Sequence, residues 1–294
     1  MSYRKERVKS LLGADTNQLD KKSLATLSRN ALDKGIYGLC FSPYQKGQKP
    51  GDIISEAQIR RKLEIIRPYT KWIRTFSTTK GNEQIPILAK EYGFKTLVGA
   101  WLDGNTETNQ NEIAGLIELA DKGFVDIAAV GNEVMYRGEM EEHTLIEYIE
   151  VVKNAIPEIP VGYVDAYYEF TDRPKITEVC DVILANCYPV WEGCSLEYSL
   201  VYMKQMYAQA ELAAKGKQVI ITETGWPSKG ANFEASIPSY DNALKYFINA
   251  QKWSSEDNIP MFYFSSFDES WKVDAEGDVG AYWGLWDEDE KPKF

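Results

Sequence analysis

The stretch Val219-Ile220-Ile221-Thr222-Glu223-Thr224-Gly225-Trp226-Pro227-Ser228-Lys229-Gly230 (VIITETGWPSKG, 219–230) sets the terms on which the rest of the chain is read. Its β-branched run, 219–222, shows no alternation between core and water, so it predicts a strand covered on both faces, as in a parallel sheet. Gly225 and Pro227 bring turn chemistry that ends the strand. Glu223 therefore stands where a buried strand leaves the core. A solvated strand end is the plain explanation of such a glutamate, and it has to be weighed against what surrounds it.

Segments of the same character recur. Strands are expected at 35–41 (GIYGLCF), 71–76 (KWIRTF), 95–102 (KTLVGAWL) and 125–132 (VDIAAVGN), and again at 159–166 (IPVGYVDA), 181–188 (DVILANCY), 217–224 (KQVIITET) and 260–267 (PMFYFSSF). Between them lie stretches with apolar residues at helical spacing, among them ISEAQIRRKLEII, NEIAGLIELADKG, LIEYIEVVKNAI and EYSLVYMKQMYAQAELAAKG, several closed by glycine. Eight strands with helical connections and no break in composition predict the α/β class and a single (β/α)8 TIM barrel over 35–294, with an open doubly wound sheet as the alternative. Residues 1–34 stand outside the repeat as an N-terminal extension packing on the barrel. Within it KKSLATLSRNALDKG is expected to be a short helix closing the barrel bottom.

Composition narrows the chemistry. The chain has 294 residues, 44% hydrophobic and 26% charged, and a net charge of −11 with no run rich in lysine or arginine. Nucleic acid and anionic membrane surfaces, which need clustered positive charge, are not expected partners. No stretch is long and apolar enough to insert in a membrane, and the start MSYRKERVKS lacks the apolar segment of a signal peptide, which leaves location open. A single histidine, His143, follows acidic residues near a helix start and is expected to be solvated. Histidine-ligated zinc and most Ser-His-Asp arrangements are thereby excluded. No phosphate-binding glycine loop is present, and DGNTETNQNE (103–112) lacks the glycine and glutamate of a calcium loop, so it is read as a polar loop. Neither a metal nor a cofactor is expected. Cys40, Cys180, Cys187 and Cys194 read as small buried hydrophobes.

In barrel enzymes the chemistry gathers at the C-terminal strand ends. Here those ends carry Ser42-Pro43-Tyr44, Arg74, Trp101 and Asp103, Asn132-Glu133, Asp165, Tyr188 to Trp191, Glu223 to Trp226, and Asp268-Glu269. Carboxylates, amides and flat aromatic faces suit a neutral sugar polymer. Glu133, in AVGNEVMYRG, ends the fourth strand as Glu223 ends the seventh, so two carboxyls can converge on one bond. Carboxyls about 5–5.5 Å apart allow one to attack directly while the other protonates the leaving oxygen, which retains the anomeric configuration. Tyr44, Trp101, Tyr136, Trp191 and Trp271 are candidate sugar platforms, with Trp226 as an aromatic wall beside the sugar. Tyr263 and Phe264 are expected to fill the barrel, and DEDEKPK (287–293) to be a solvated tail.

The motifs GLCFSPY, IRTFS, VGNEV, ANCYPVW, TETGWPS and FSSFDESWK, spread from residue 35 to the C-terminus, make this chain resemble glycoside hydrolase family 17, the β-1,3-glucanases and β-1,3-glucanosyltransferases. The resemblance implies a retaining mechanism with Glu133 as acid/base and Glu223 as nucleophile. It also implies that Asn132 binds the sugar 2-hydroxyl, that Tyr188 supports the nucleophile, and that Glu269 and Lys272 line the cleft. Arg74 is expected to favour the charged form of Glu223. The implied substrate is laminarin-type β-1,3-glucan, with hydrolysis by double displacement and transfer to a second sugar as the alternative. A monomer is expected, and a polysaccharide substrate favours a secreted, periplasmic or cell-surface location. A non-catalytic glucan-binding barrel would lack one of the two glutamates. Phe41 departs from the tyrosine many relatives carry, and the loop SPYQKGQKPGD (42–52) points to a bacterial or fungal type with its own cleft end.

Overall fold

The computed structural model describes residues 13–16 and 18–294; the rest of the N-terminal extension, with the leader reading made on it, lies outside the described residues. Among the described residues eight parallel strands close into a barrel in chain order. They are β1 Ile36–Cys40, β2 Thr70–Arg74, β3 Lys95–Ala100, β4 Ile127–Asn132, β5 Val161–Ala166, β6 Val182–Asn186, β7 Val219–Thr224 and β8 Met261–Tyr263. Every expected strand is present. β8 stops earlier than predicted because the chain beyond it turns to a different partner: Ser265 N–H donates to Trp283 O, and Phe267 bridges Trp286.

Helices α1 Lys21–Asp33, α2 Glu56–Ile66, α3 Gln84–Glu91, α4 Thr106–Asp121, α5 Glu142–Ala155, α6 Glu169–Asp172, α7 Pro174–Val179, α8 Leu196–Ala214 and α9 Tyr240–Asp257 surround the barrel. Their starts follow capping chemistry: Ser55, Asn105 and Ser239 accept from the N–H of Gln58, Thr108 and Asn242. The Asn105 cap starts α4 inside the segment read as a polar loop, and Asn109 then clasps the N–H and C=O of Asp103. α1 packs along α9, with Leu24 against Leu244 and Ile248. His143 is exposed on α5, and the cysteines are free thiols, of which Cys40, Cys180 and Cys187 are buried.

Two irregularities govern the mouth of the barrel. Between the pairs Ala129–Gly162 and Asn132–Val164, β4 advances three residues while β5 advances two. Likewise β7 advances from Ile221 to Glu223 while β6 moves from Ala185 to Asn186. Each of these strands therefore carries one extra residue just before its glutamate. A bulge re-aims the side chain after it. Thr222 bonds Asn186, Glu223 also turns to the mouth, and Thr224 faces outward to Tyr246 on α9.

The charge run at 287–293 is not a solvated tail. Trp286 bridges Pro292, Glu290 pairs with Arg61 at 2.6 Å, and the half-buried Lys293 reaches Asp268 at 2.7 Å. Isolated charges would remain in water; these find opposite partners, so the segment folds back across the rim.

Candidate active site

Glu223 is only 7% exposed, and both its oxygens are engaged. Arg74, buried at the end of β2, donates through Nη1 to Oε1, and the Tyr188 hydroxyl donates to Oε2 at 2.8 Å. Burial, and then the charge of Glu223, push the Tyr188 pKa well above its usual value, so Tyr188 remains a proton donor. The second arm of Arg74, Nη2, donates to Asn132 Oδ1 at 2.5 Å. That orients the Asn132 amide with its NH2 group free of Arg74, while Phe76 covers the guanidinium 4.4 Å from its ring centre. One buried cation thus links β2, β4 and β7.

Glu133 follows β4 on a left-handed backbone, φ 52°, a conformation costly for a non-glycine residue and concentrated at functional sites. Its N–H donates to Val164 O at 2.8 Å. Beyond it Tyr163 and Asp165 hold the turn: Tyr163 accepts from Met135 N–H and donates to Asp165, which also accepts from Tyr136 N–H. Among the described residues no cation pairs with the Glu133 carboxyl; Asn186 donates to Oε1 at 2.7 Å. Burial, and then the negative charge of Glu223, push the Glu133 pKa up to about 7. The Glu133 carboxyl therefore senses the charge of Glu223 across the mouth.

Beside them, Glu269 accepts from Ser42 and, at 2.9 Å, from the Trp271 indole, and it pairs with Lys272 at 3.3 Å. Lys272 lies 4.0 Å from the ring centre of Phe264. Phe264 is not barrel filling: it lies past β8, edge-on to Tyr188 and Trp283, as a floor under these groups. Tyr263 packs outward on Phe247 of α9. Trp101 is partly exposed with Arg137 stacked 4.7 Å over it, and Arg137 also bonds Asn132 O and Leu102 O. Tyr136 is 62% exposed beside the Glu133 turn. Trp191, 36% exposed, packs on Trp283, which packs on Tyr188.

Two expected platforms are corrected. Trp226 is 1% exposed, its indole N–H bonded to Ile237 O and its ring tilted on Tyr246, so it belongs to the layer behind the barrel wall. Gly225 is needed for close approach as the chain goes there: a Cβ would meet Phe264 O at 2.2 Å. Tyr44 is buried too; its hydroxyl accepts from Asn82 and its ring stands edge-on to Trp271, which it supports. Gln58 and Lys62 of α2 grip the carbonyls of Pro43 and Tyr44, fixing the 42–52 loop, while Phe41 packs on Phe267. Sequence reasoning gave no role to Asn186, Thr222 or Arg137. Asn186 ends β6, and the strand-end rule applied two residues earlier in ANCYPVW would have found it. Among the described residues no cluster of His, Cys, Asp or Glu is arranged to hold a metal.

The family described as BtgE/BtgC glycoside hydrolase domain matches residues 38–284. A glucan 1,3-beta-glucosidase of Arthroderma benhamiae is 28% identical over 265 residues, covering 83% of this chain and 85% of that protein. A Rhizomucor miehei glycoside hydrolase family 17 beta-1,3-glucanosyltransferase superposes with a TM-score of 0.79 at 29% identity, over 88% of this chain and 96% of the other. An active-site mutant of the Rhizomucor miehei enzyme, solved with laminaritriose, gives 0.78 at the same identity and coverage. The paired glutamates at the mouth of a (β/α)8 barrel and the match over most of its length agree: this chain belongs to the BtgE/BtgC glycoside hydrolase domain family, within glycoside hydrolase family 17.

Proposed function

We propose that this protein cleaves β-1,3-glucosidic bonds of β-1,3-glucan by double displacement, with Glu223 as nucleophile and Glu133 as acid/base. The observation that carries the assignment is the unequal environment of the two carboxyls: Arg74 compensates the charge of Glu223, whereas Glu133 is pushed up to about 7. A carboxyl that keeps its proton near neutrality can give it to the leaving glycosidic oxygen as Glu223 attacks the anomeric carbon. Glu133, then a carboxylate, takes a proton from the incoming water, which attacks from the face the leaving group vacated, displaces the Glu223 carboxylate and restores the β configuration. The free amide NH2 of Asn132 is assigned to the sugar 2-hydroxyl, and Lys272 and Glu269 to neighbouring hydroxyls.

A transferase reading has its own support. Tyr136, Trp191 and Phe233 are 62%, 36% and 44% exposed, and such aromatic surface could hold an acceptor sugar against water. Both readings place a single catalytic barrel, acting as a monomer, at a glucan outside the cytoplasm; among the described residues no helix could cross a membrane. Early products of a soluble β-1,3-glucan, followed by chromatography, separate them. Shrinking oligosaccharides mark the hydrolase and products longer than the starting material mark the transferase. Absence of any change would contradict both.

A further inference from the structure

The surroundings of Glu133 are asymmetric in a way that bears on its proton. Asn186 is buried at the end of β6, its Nδ2 donating to Glu133 Oε1 at 2.7 Å. Its Oδ1 accepts from Thr222 Oγ1 at 2.9 Å, and Thr222 is fully buried in β7. A carboxamide has one donor end and one acceptor end. A hydroxyl held at the acceptor end turns the donor end to Glu133, and a carboxyl oxygen receiving that N–H cannot present its own proton there. The other oxygen, Oε2, has no hydrogen-bond partner among the described residues.

We propose that Asn186, oriented by Thr222, is a positioning residue that reserves Glu133 Oε1 and leaves Oε2 as the oxygen that gives and takes the proton. The proposal rests on the retaining mechanism above. It gives the extra residue of β7 a second use. The bulge that aims Glu223 at the substrate brings Thr222 and Glu223 to the mouth in succession, so the nucleophile strand also sets the amide that orders the acid/base. The charged groups felt by Glu133 from the neighbouring elements are Glu223 on β7, Asp165 on β5 and Arg74 on β2. Changes at Asn186 and Thr222 leave all three in place.

The test is a carboxyl-13C titration of the full chain labelled at glutamate, with Glu133→Gln assigning the resonance, in wild type, Asn186→Ala and Thr222→Val. The Asn186 N–H favours the carboxylate form. Removing it, or freeing the amide to turn its carbonyl to Glu133, should raise the Glu133 midpoint by about one pH unit in each variant. Turnover of a β-1,3-oligosaccharide should fall about tenfold or more, and that of an aryl glucoside with a good leaving group by less than about threefold, because only the former needs the proton. A midpoint unchanged or lowered in Asn186→Ala, or a Thr222→Val protein with wild-type midpoint and leaving-group dependence, would overturn the proposal. A merely structural role would lower both substrates equally and leave the midpoint in place. The titration needs no turnover, so a wild type inert toward β-1,3-oligosaccharides would count against the proposed reaction and not against this contact.

Discussion

The ends of β4 and β7 make a controlled comparison within one molecule. Both carry a glutamate, both reach it through one extra residue, and both open on the same face of the barrel. They differ in what touches the carboxyl. Glu223 receives a guanidinium and a phenol; Glu133 receives a neutral amide and faces the charge of Glu223. The placement of one cation gives two like groups unlike surroundings, and burial with the charge of Glu223 raises the Glu133 pKa to about 7. Arg74 does so while its other arm fixes Asn132, so charge and geometry are set together.

The comparison breaks most visibly at Glu223→Gln, a nearly isosteric change. It should cut turnover on the order of 10⁵-fold with the fold intact by circular dichroism. Wild-type-like activity in that variant would remove the nucleophile. Glu133→Gln should cost about 10²- to 10⁴-fold on substrates with poor leaving groups and little on the first step of activated aryl glucosides. Equal losses on both would show that Glu133 is not the acid. Arg74→Lys keeps the charge but loses the fork; because the site depends on both arms, kcat should fall about 10²-fold.

The pH response sharpens the same contrast. The Glu133 pKa is raised from 4.5 to about 7, so the native state prefers the protonated form. Stability from this residue is complete below 4.5 and is lost as pH rises through 4.5 to about 7, when the unfolded chain ionises more readily. Denaturant titrations at pH 8 should therefore find Glu133→Gln more stable than wild type by up to roughly 3 kcal/mol, with no difference at pH 4. Activity should decline as pH rises through about 7. The smallest effect belongs to Trp226→Phe, which should leave KM within about twofold and lower stability by about 1–2 kcal/mol. A large KM change there would restore Trp226 to the cleft.

The barrel was legible because parallel strands buried on both faces and amphipathic helices leave distinct patterns, and because strand ends point to one mouth. Glu133, Glu223, Arg74 and Tyr188 could be named from those ends alone. What sequence could not carry was side-chain direction after a bulge. The extra residue in β7 puts Thr222 and Glu223 side by side at the mouth, so a period-two count carried through from Thr222 places Thr224 and Trp226 on the wrong face. Asn186 and Thr222 were passed over for the same reason: their value lies in a hydrogen bond between strands. The folded-back 287–293 segment depended on Arg61 and Asp268, which lie far from it in sequence.

Trapping the glycosyl-enzyme addresses the division of labour directly. A 2-deoxy-2-fluoro β-glucosyl or laminaribiosyl donor with a good leaving group should inactivate the protein with one label per chain, and peptide mapping should find that label on Glu223. A label on Glu133, or steady inversion of configuration with no covalent adduct, would contradict the roles assigned to the two strands.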